Sequence, residues 1–388
     1  MSKSASAPVS VLPIIVCSQF ACTSLWFAGN AVLPQLQEVF NMTSTAVGNL
    51  TSSVQLGFIV GTLVFAFFLI ADRYSPSKVF MLCAFLGAIF NLLCPLPINS
   101  YYSILLLRFI TGFCLAGIYP VGMKIAADHF QSGLGKSLGY LVGALVLGTA
   151  FPHLLRSILS QTPWEYVFYG TSLLAIIGGL AIGTAVPDGP YRHASKSMNP
   201  TAIARLFLQV KFRQAAVGYF GHMWELYTFW AFVPMLLRYA LPDADISLLS
   251  FIVIGSGGIG CILAGYLAVP FGSKTIATWA LAISGICCAA IIYCLNFPMI
   301  SIVVIMIWGI SVVADSPLFS TLIAQNAPAH LRGSALTIVN SIGFGITIVS
   351  LQLLAYLEAI ISSPLNFLLM CIGPTVGLVG LYAKSRKN

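Results

Sequence analysis

Long uncharged apolar runs alternate with short polar breaks along the whole chain. Twelve runs can be delimited, at 11 to 33, 47 to 70, 79 to 97, 101 to 127, 137 to 160 and 164 to 186, then at 212 to 239, 247 to 270, 275 to 295, 298 to 322, 334 to 358 and 364 to 383. About 20 apolar residues suffice for an α-helix to cross a hydrocarbon core of roughly 30 Å. The runs are long and continuous, which favours helices over barrel strands, and a helix satisfies its own backbone hydrogen bonds where water is absent. The pattern therefore predicts an all-α membrane protein with twelve transmembrane helices. The longest polar break joins two groups of six, giving an N-terminal bundle over 1–186, a cytoplasmic linker over 187–211 and a C-terminal bundle over 212–388.

Composition agrees, since 7% of residues are charged and 59% hydrophobic, a balance that puts apolar atoms on most of the surface. Charge then sets orientation, because Lys and Arg beside membrane helices stay preferentially on the cytoplasmic side. With a cytoplasmic N-terminus, fifteen of the 18 basic residues fall on that side. Only Arg156 and Arg238 fall on the other, and Arg108 sits inside a run. Both termini are thus expected in the cytoplasm, in an inner or plasma membrane. The net charge of +8 is scattered over loops rather than gathered in a stripe, which excludes a nucleic-acid partner and leaves membrane lipid as the surrounding one. Residues 1 to 33 hold one run of full membrane length and no cleavage site, so the first helix is read as uncleaved.

A charged hinge, Ala71-Asp72-Arg73-Tyr74-Ser75-Pro76-Ser77-Lys78, interrupts the apolar text, and a fainter copy follows 197 residues later around Gly265, Ala268, Gly272 and Lys274. The same shift pairs Gly112 with Gly309 and Pro120 with Pro317. One offset shared by separate segments, close to half the chain length, marks two tandem homologous halves.

The hinge resembles the loop between helices 2 and 3 of the major facilitator superfamily, Gly-x-Leu-Ala-Asp-Arg-x-Gly-Arg-Lys, with Asp72, Arg73 and Lys78 supplying the charges. It departs at Phe68 and Ser75, where the family has Gly, and at Pro76. The helix 4 pattern Arg-x-x-x-Gly-x-x-x-x-Gly stands intact as Arg108, Gly112 and Gly117. Segments such as Gly221-His222-Met223-Trp224-Glu225 look like those of poorly assigned bacterial permeases. The antiporter pattern of helix 5 is only partly present, as Gly139, Gly143 and Gly148 with Ala144 in place of Pro. The resemblance implies a monomeric secondary transporter, a symporter or an antiporter, working by alternating access, with helices 1, 4, 7 and 10 around a central cavity. It also implies a conformational latch of Asp72, Arg73, Lys78 and Asp128, with Asp128 as the partner of Arg73.

Ionisable groups within membrane helices are costly and usually face a cavity or one another. Arg108, Glu225 and Asp315 are such groups, on helices 4, 7 and 10. Glu225 is the first choice for proton coupling, because a carboxyl on a cavity helix can take up and release one proton per cycle. His222 lies three residues earlier on the same face, where an imidazole can relay a proton, and Asp315 offers a second carboxyl. Arg108 stays charged and suits an anionic group of a substrate. Trp26, Asn30, Tyr119, Tyr227, Trp230 and Trp308 are candidate substrate contacts, an aromatic wall with a few polar handles. One cation, two carboxyls and these rings suit a small polar or zwitterionic organic solute. Transport of that solute coupled to protons is the expected function, and efflux of drugs or siderophore-like metabolites is the alternative.

No Gly-x-x-x-x-Gly-Lys-Ser/Thr phosphate loop occurs, so no cofactor or ATP site is expected. The ten cysteines lie within apolar runs or near the end of one and form no Cys-x-x-Cys pair, so they read as small packing residues and not as a metal site. An intramembrane enzyme would need a nucleophile and base, for which Ser256 with His222 or His153 is the nearest approach. Glycines around Ser256 read instead as close helix packing, and no enzyme is expected.

Overall fold

The structure, a computed structural model, describes residues 10–130, 134–192, 204–328 and 331–383. It is helical, with no strand among the described residues, and all twelve predicted runs form helices. α1 is in three pieces, Val11–Thr23, Ala28–Ala31 and Leu33–Val39. α2 is Ala46–Phe67, followed by the short turn of helix Ile70–Arg73. α3 is Pro76–Leu93, α4 is Tyr101–Ala116 continued by Tyr119–His129, α5 is Leu134–Ile158 and α6 is Glu165–Ala185. In the second half α7 is Val210–Ala240, α8 Ile246–Phe271 and α9 Ser273–Cys294. α10 is Pro298–Ala314 continued by Ser316–Gln325, and α11 is Arg332–Ile360. α12 starts as the 3-10 helix Pro364–Cys371 and continues as Ile372–Tyr382. Much of the linker, residues 193–203, lies outside the described residues.

The duplication is visible in packing. A Cβ on Gly112 of α4 would collide with the Val54 carbonyl of α2, and one on its repeat partner, Gly309 of α10, with the Val253 carbonyl of α8. The two glycines let equivalent helix pairs touch backbone to backbone, as small residues do in membranes. The second repeat pair, Pro120 and Pro317, sits just past the breaks in α4 and α10. Proline has no amide hydrogen and cannot continue the preceding turn, so both helices bend at the same depth.

The hinge carries strain where it departs from the family pattern. Leu69, directly after Phe68, has φ 54°, a left-handed conformation costly for a residue with a Cβ. In the downstream copy of the hinge the positive φ falls on a glycine, Gly272 at φ 84°, the repeat partner of Ser75.

Large apolar side chains point outward along the bundle, among them Leu82, Ile286 and Val379, as expected when lipid is the solvent. The two halves meet along α5 with α8 and α2 with α11. Gly143 of α5 faces Gly258 of α8, so one glycine of the partial helix 5 pattern serves the contact between halves, while Gly148 packs on Phe20 and Thr23 of α1.

Candidate functional site

A cavity of about 700 Å³ lies between the halves and opens at the end of the bundle that carries Asp72, Lys124 and Arg332. The N-terminal half lines it with Phe58, Tyr119, Pro120 and Met123, and the C-terminal half with Pro317, Asn340 and Phe344. The proline breaks in α4 and α10 thus bend both helices at the cavity wall.

Aromatic rings roof the cavity. Phe58 and Phe344, from α2 and α11, lie 4.7 Å apart between centroids. Trp26 packs against Phe58 at 4.9 Å and stacks on Tyr227 at 5.5 Å, and Tyr227 continues to Trp230 at 5.0 Å. Beyond this roof the far end is sealed by polar contacts between halves. The Gln352 amide donates to Asn49 Oδ1 and Ser52 Oγ, both at 3.0 Å, and Ser157 Oγ donates to Asp245 Oδ2 at 2.5 Å. The molecule is closed at one end and open at the other.

Behind the C-terminal wall lies a buried acid cluster. Glu225 of α7 accepts from Trp308 Nε1 of α10 at 2.6 Å and from the Ser284 hydroxyl of α9. His222, one turn earlier, places Nδ1 2.7 Å from Asp315 Oδ1 at the break of α10. His222, Glu225 and Asp315 are each 1% exposed. They are brought together by α7, α9 and α10 of one half and do not line the cavity. Tyr119 and Pro317 line the cavity, whereas the His222 ring packs against Tyr219 and Phe319 at 5.9 and 6.2 Å, none of which lines it.

The substrate candidates separate by how they are engaged. Tyr119 lines the cavity, whereas Trp26, Tyr227 and Trp230 form its roof and the layer above. Trp26 Nε1 and Trp230 Nε1 are buried without a partner, so each has a donor to offer. Trp308 is occupied by Glu225, and Asn30 donates to Thr51 Oγ1 at 2.7 Å. Arg108 is also occupied. Its Nη2 donates to the carbonyls of Leu25 and Trp26 at 2.8 and 2.6 Å, and Nη1 to Asn91 Oδ1 at 2.8 Å. Those carbonyls belong to the turn where α1 breaks, so the guanidinium replaces hydrogen bonds that the helix would have made.

At the open end Lys124 bridges Asp72 at 2.9 Å and Asp128 at 3.4 Å. Arg73 and Lys78 are exposed and form no ion pair among the described residues, so Lys124 stands where Arg73 was expected against Asp128. Arg192 adds a second tie, donating to the Asp72 and Tyr74 carbonyls and pairing with Asp188 at 2.6 Å. All these contacts lie within the N-terminal half and its loops.

Several polar groups escaped sequence reading. Gln19 and Gln55 are fully buried with both amide ends unpartnered, and Asn340 Oδ1, at the cavity, is also unpartnered. A lone amide inside an apolar run was the available signal. Among the described residues no group of His, Cys, Asp and Glu has the makings of a metal site.

The sequence profile of the Major Facilitator Superfamily matches residues 15–351. The chain belongs to that family of multi-pass membrane transporters. An uncharacterized transporter of Buchnera aphidicola is 24% identical over 249 residues, 61% of this chain and 58% of that protein. The inner membrane transport protein YnfM of Escherichia coli is 24% identical over 194 residues, 50% of this chain and 45% of its own length. These alignments span less than two thirds of either relative. Among solved structures, the xylose transporter XylE from E. coli in a partially occluded inward open conformation superposes with a TM-score of 0.75 at 12% identity, covering 95% of this chain and 97% of its own. A mutant of the nucleoside transporter NupG superposes with a TM-score of 0.74 at 14% identity, covering 96% and 98%. These two likenesses establish the fold.

Proposed function

We propose that the protein is a proton-coupled secondary carrier that moves a small polar or zwitterionic organic solute by alternating access, captured here open to the cytoplasm. The observation that carries this reading is the single-ended cavity between the halves, with a buried carboxyl and histidine cluster directly behind one wall. The solute sits beneath the Trp26, Phe58, Tyr227 and Phe344 roof and meets Tyr119, Asn340 and the free indole donors. Glu225 carries the coupled proton, with the His222 and Asp315 pair as the exchange route toward the cavity. Arg108 acts by holding the break of α1, and so the roof, in place. Asp72, Lys124 and Asp128 form the latch of the open end, released from the other half in this state. The inner membrane and cytoplasmic termini follow from the basic loops, and one chain suffices because the cavity is complete within it.

That the fold is shared with a protein described as a proton:xylose symporter supports proton coupling as compatible with this architecture. A second reading, efflux of amphipathic drugs or metabolites, is favoured by the apolar side chains that line much of the cavity, including Phe65, Met123, Val142 and Leu336.

Sealed proteoliposomes with an internal pH dye, challenged with amino acids, nucleosides, sugars, organic acids and cationic drugs, test the proposal. A solute-dependent proton signal is expected in wild type and not in Glu225→Gln, while solute counterflow persists in the variant. A signal retained in Glu225→Gln moves coupling to Asp315 or His222. Counterflow without any proton signal in wild type replaces the carrier proposed here with a uniporter or exchanger. The direction of proton-driven movement separates uptake from efflux.

A further inference from the structure

The sealed end of the bundle contains a second, smaller cavity of about 170 Å³, formed by α1, α5, α7 and α8. Arg156 from the N-terminal half and Arg238 from the C-terminal half both line it. These are the two basic residues that the charge pattern leaves on this side of the membrane, and closure of this end brings them to one space. Neither forms an ion pair among the described residues. Arg156 donates to the Leu159 carbonyl at 3.2 Å and, with the Gln35 amide turned to satisfy its neighbours, to the Gln35 oxygen at 3.2 Å, neutral acceptors that leave its charge uncompensated.

A third group points to a ligand. His153 is 2% exposed, lines the same cavity, and its Nε2 has no hydrogen-bond partner. A buried polar atom of this kind is costly unless something fills its valence. Ser247, in the first turn of α8, adds the positive end of a helix dipole. Among the described residues no carboxylate lines the cavity. Asp245, which keeps its charge, accepts from the Leu248 amide at 2.9 Å and from the Ser157 hydroxyl and pairs with neither arginine, and Asp243 is exposed in the preceding loop.

We propose that this cavity is an anion site shared by the two halves, which takes a carboxylate or phosphate group between Arg156, Arg238 and His153 and thereby favours closure of the outer end. The physical reason is that two like charges from opposite halves converge as that end closes, and an oxyanion that accepts from both converts their repulsion into a bridge. The anionic group belongs either to the solute itself, as its first station on entry, or to a free inorganic anion. Only the first source rests on the carrier reading given above.

Thermal unfolding of the purified full chain in detergent, at constant ionic strength, with inorganic phosphate, acetate or chloride titrated in, tests binding without transport. A saturable rise in Tm is expected with phosphate or acetate, with apparent affinity about tenfold or more weaker in Arg156→Gln and in Arg238→Gln, as for loss of a charge-assisted hydrogen bond. Ser247→Asp keeps both arginines, adds a competing carboxylate to the wall and should weaken binding to the same degree. Identical titrations in wild type and these variants, or no response to any of the three anions, overturns the proposal. In proteoliposomes, a raised solute KM in both arginine variants marks the solute's own acidic group as occupant, and an unchanged KM beside an anion-dependent Tm marks a free anion. A chain that responds to anions in unfolding but moves no solute removes the carrier reading and leaves this site standing.

Discussion

Arg108 shows how a single buried charge can be misread from its type alone. In the sequence it is a lone cation within an apolar run. In the structure its terminal nitrogens are taken up by two carbonyls of the broken α1 and by Asn91, which in turn donates to Thr171 and Ser172 of α6. Arg108→Met should therefore unfold more easily by about 2–5 kcal/mol, the sum of two or three orphaned acceptors, read as a fall in denaturation midpoint before any effect on transport. Leu69 makes the opposite prediction. Its left-handed backbone costs about 1–2 kcal/mol and glycine adds about 0.5–1 kcal/mol of chain entropy, so Leu69→Gly should be neutral to mildly stabilising in thermal unfolding. Leu69→Val should lower the midpoint, since branching at Cβ worsens the same strain.

At the scale of elements, α8 starts on a cap that also ties the halves together. Asp245 accepts from the Leu248 amide and from Ser157 of α5. Desolvation alone would raise its value, but these hydrogen bonds outweigh it and hold the carboxyl below its ordinary range. A depressed folded value means that the stabilisation is complete above the ordinary Asp range near about pH 4 and is lost as pH falls through the lower folded value. Asp245→Ala should cost about 1 kcal/mol at neutral pH, as for loss of an N-cap. Unfolding curves of the variant and wild type should converge in acid below that range. A gap that persists there would assign the effect to packing rather than to the carboxylate.

The whole molecule is held in one of its states by the contacts of the sealed end. The pair Ser52→Cys and Gln352→Cys, from opposite halves and joined here through a 3.0 Å hydrogen bond from the end of the Gln352 side chain, should cross-link with a short bis-methanethiosulfonate reagent in a background with the other cysteines replaced. Transport should drop to background on cross-linking and return on reduction, while Asn340→Cys in the cavity stays reactive to a thiol reagent applied from the open side. Full transport in the cross-linked form would show that the sealed end need not open.

Much of this was legible along the chain because lipid makes simple demands. A span of fixed length must be apolar throughout, so twelve helices and their polar breaks appear as text, and the duplicated glycines and prolines mark where helices touch and bend. The glycines at 112 and 309 and the prolines at 120 and 317 do the same work in both halves because equivalent helices meet there at equivalent depth. Sequence also located the costly groups, since a charge in an apolar run is conspicuous wherever it lies. What each charge faces was decided by tertiary structure alone. Glu225 meets Trp308 and Ser284 across 83 and 59 residues, His222 meets Asp315, and Lys124 rather than Arg73 reaches Asp128. Helical periodicity fixes neighbours within one helix, but the partner on another helix depends on how twelve rods rotate and lean to fill space. Roof, cavity and sealed end exist only once that packing is complete.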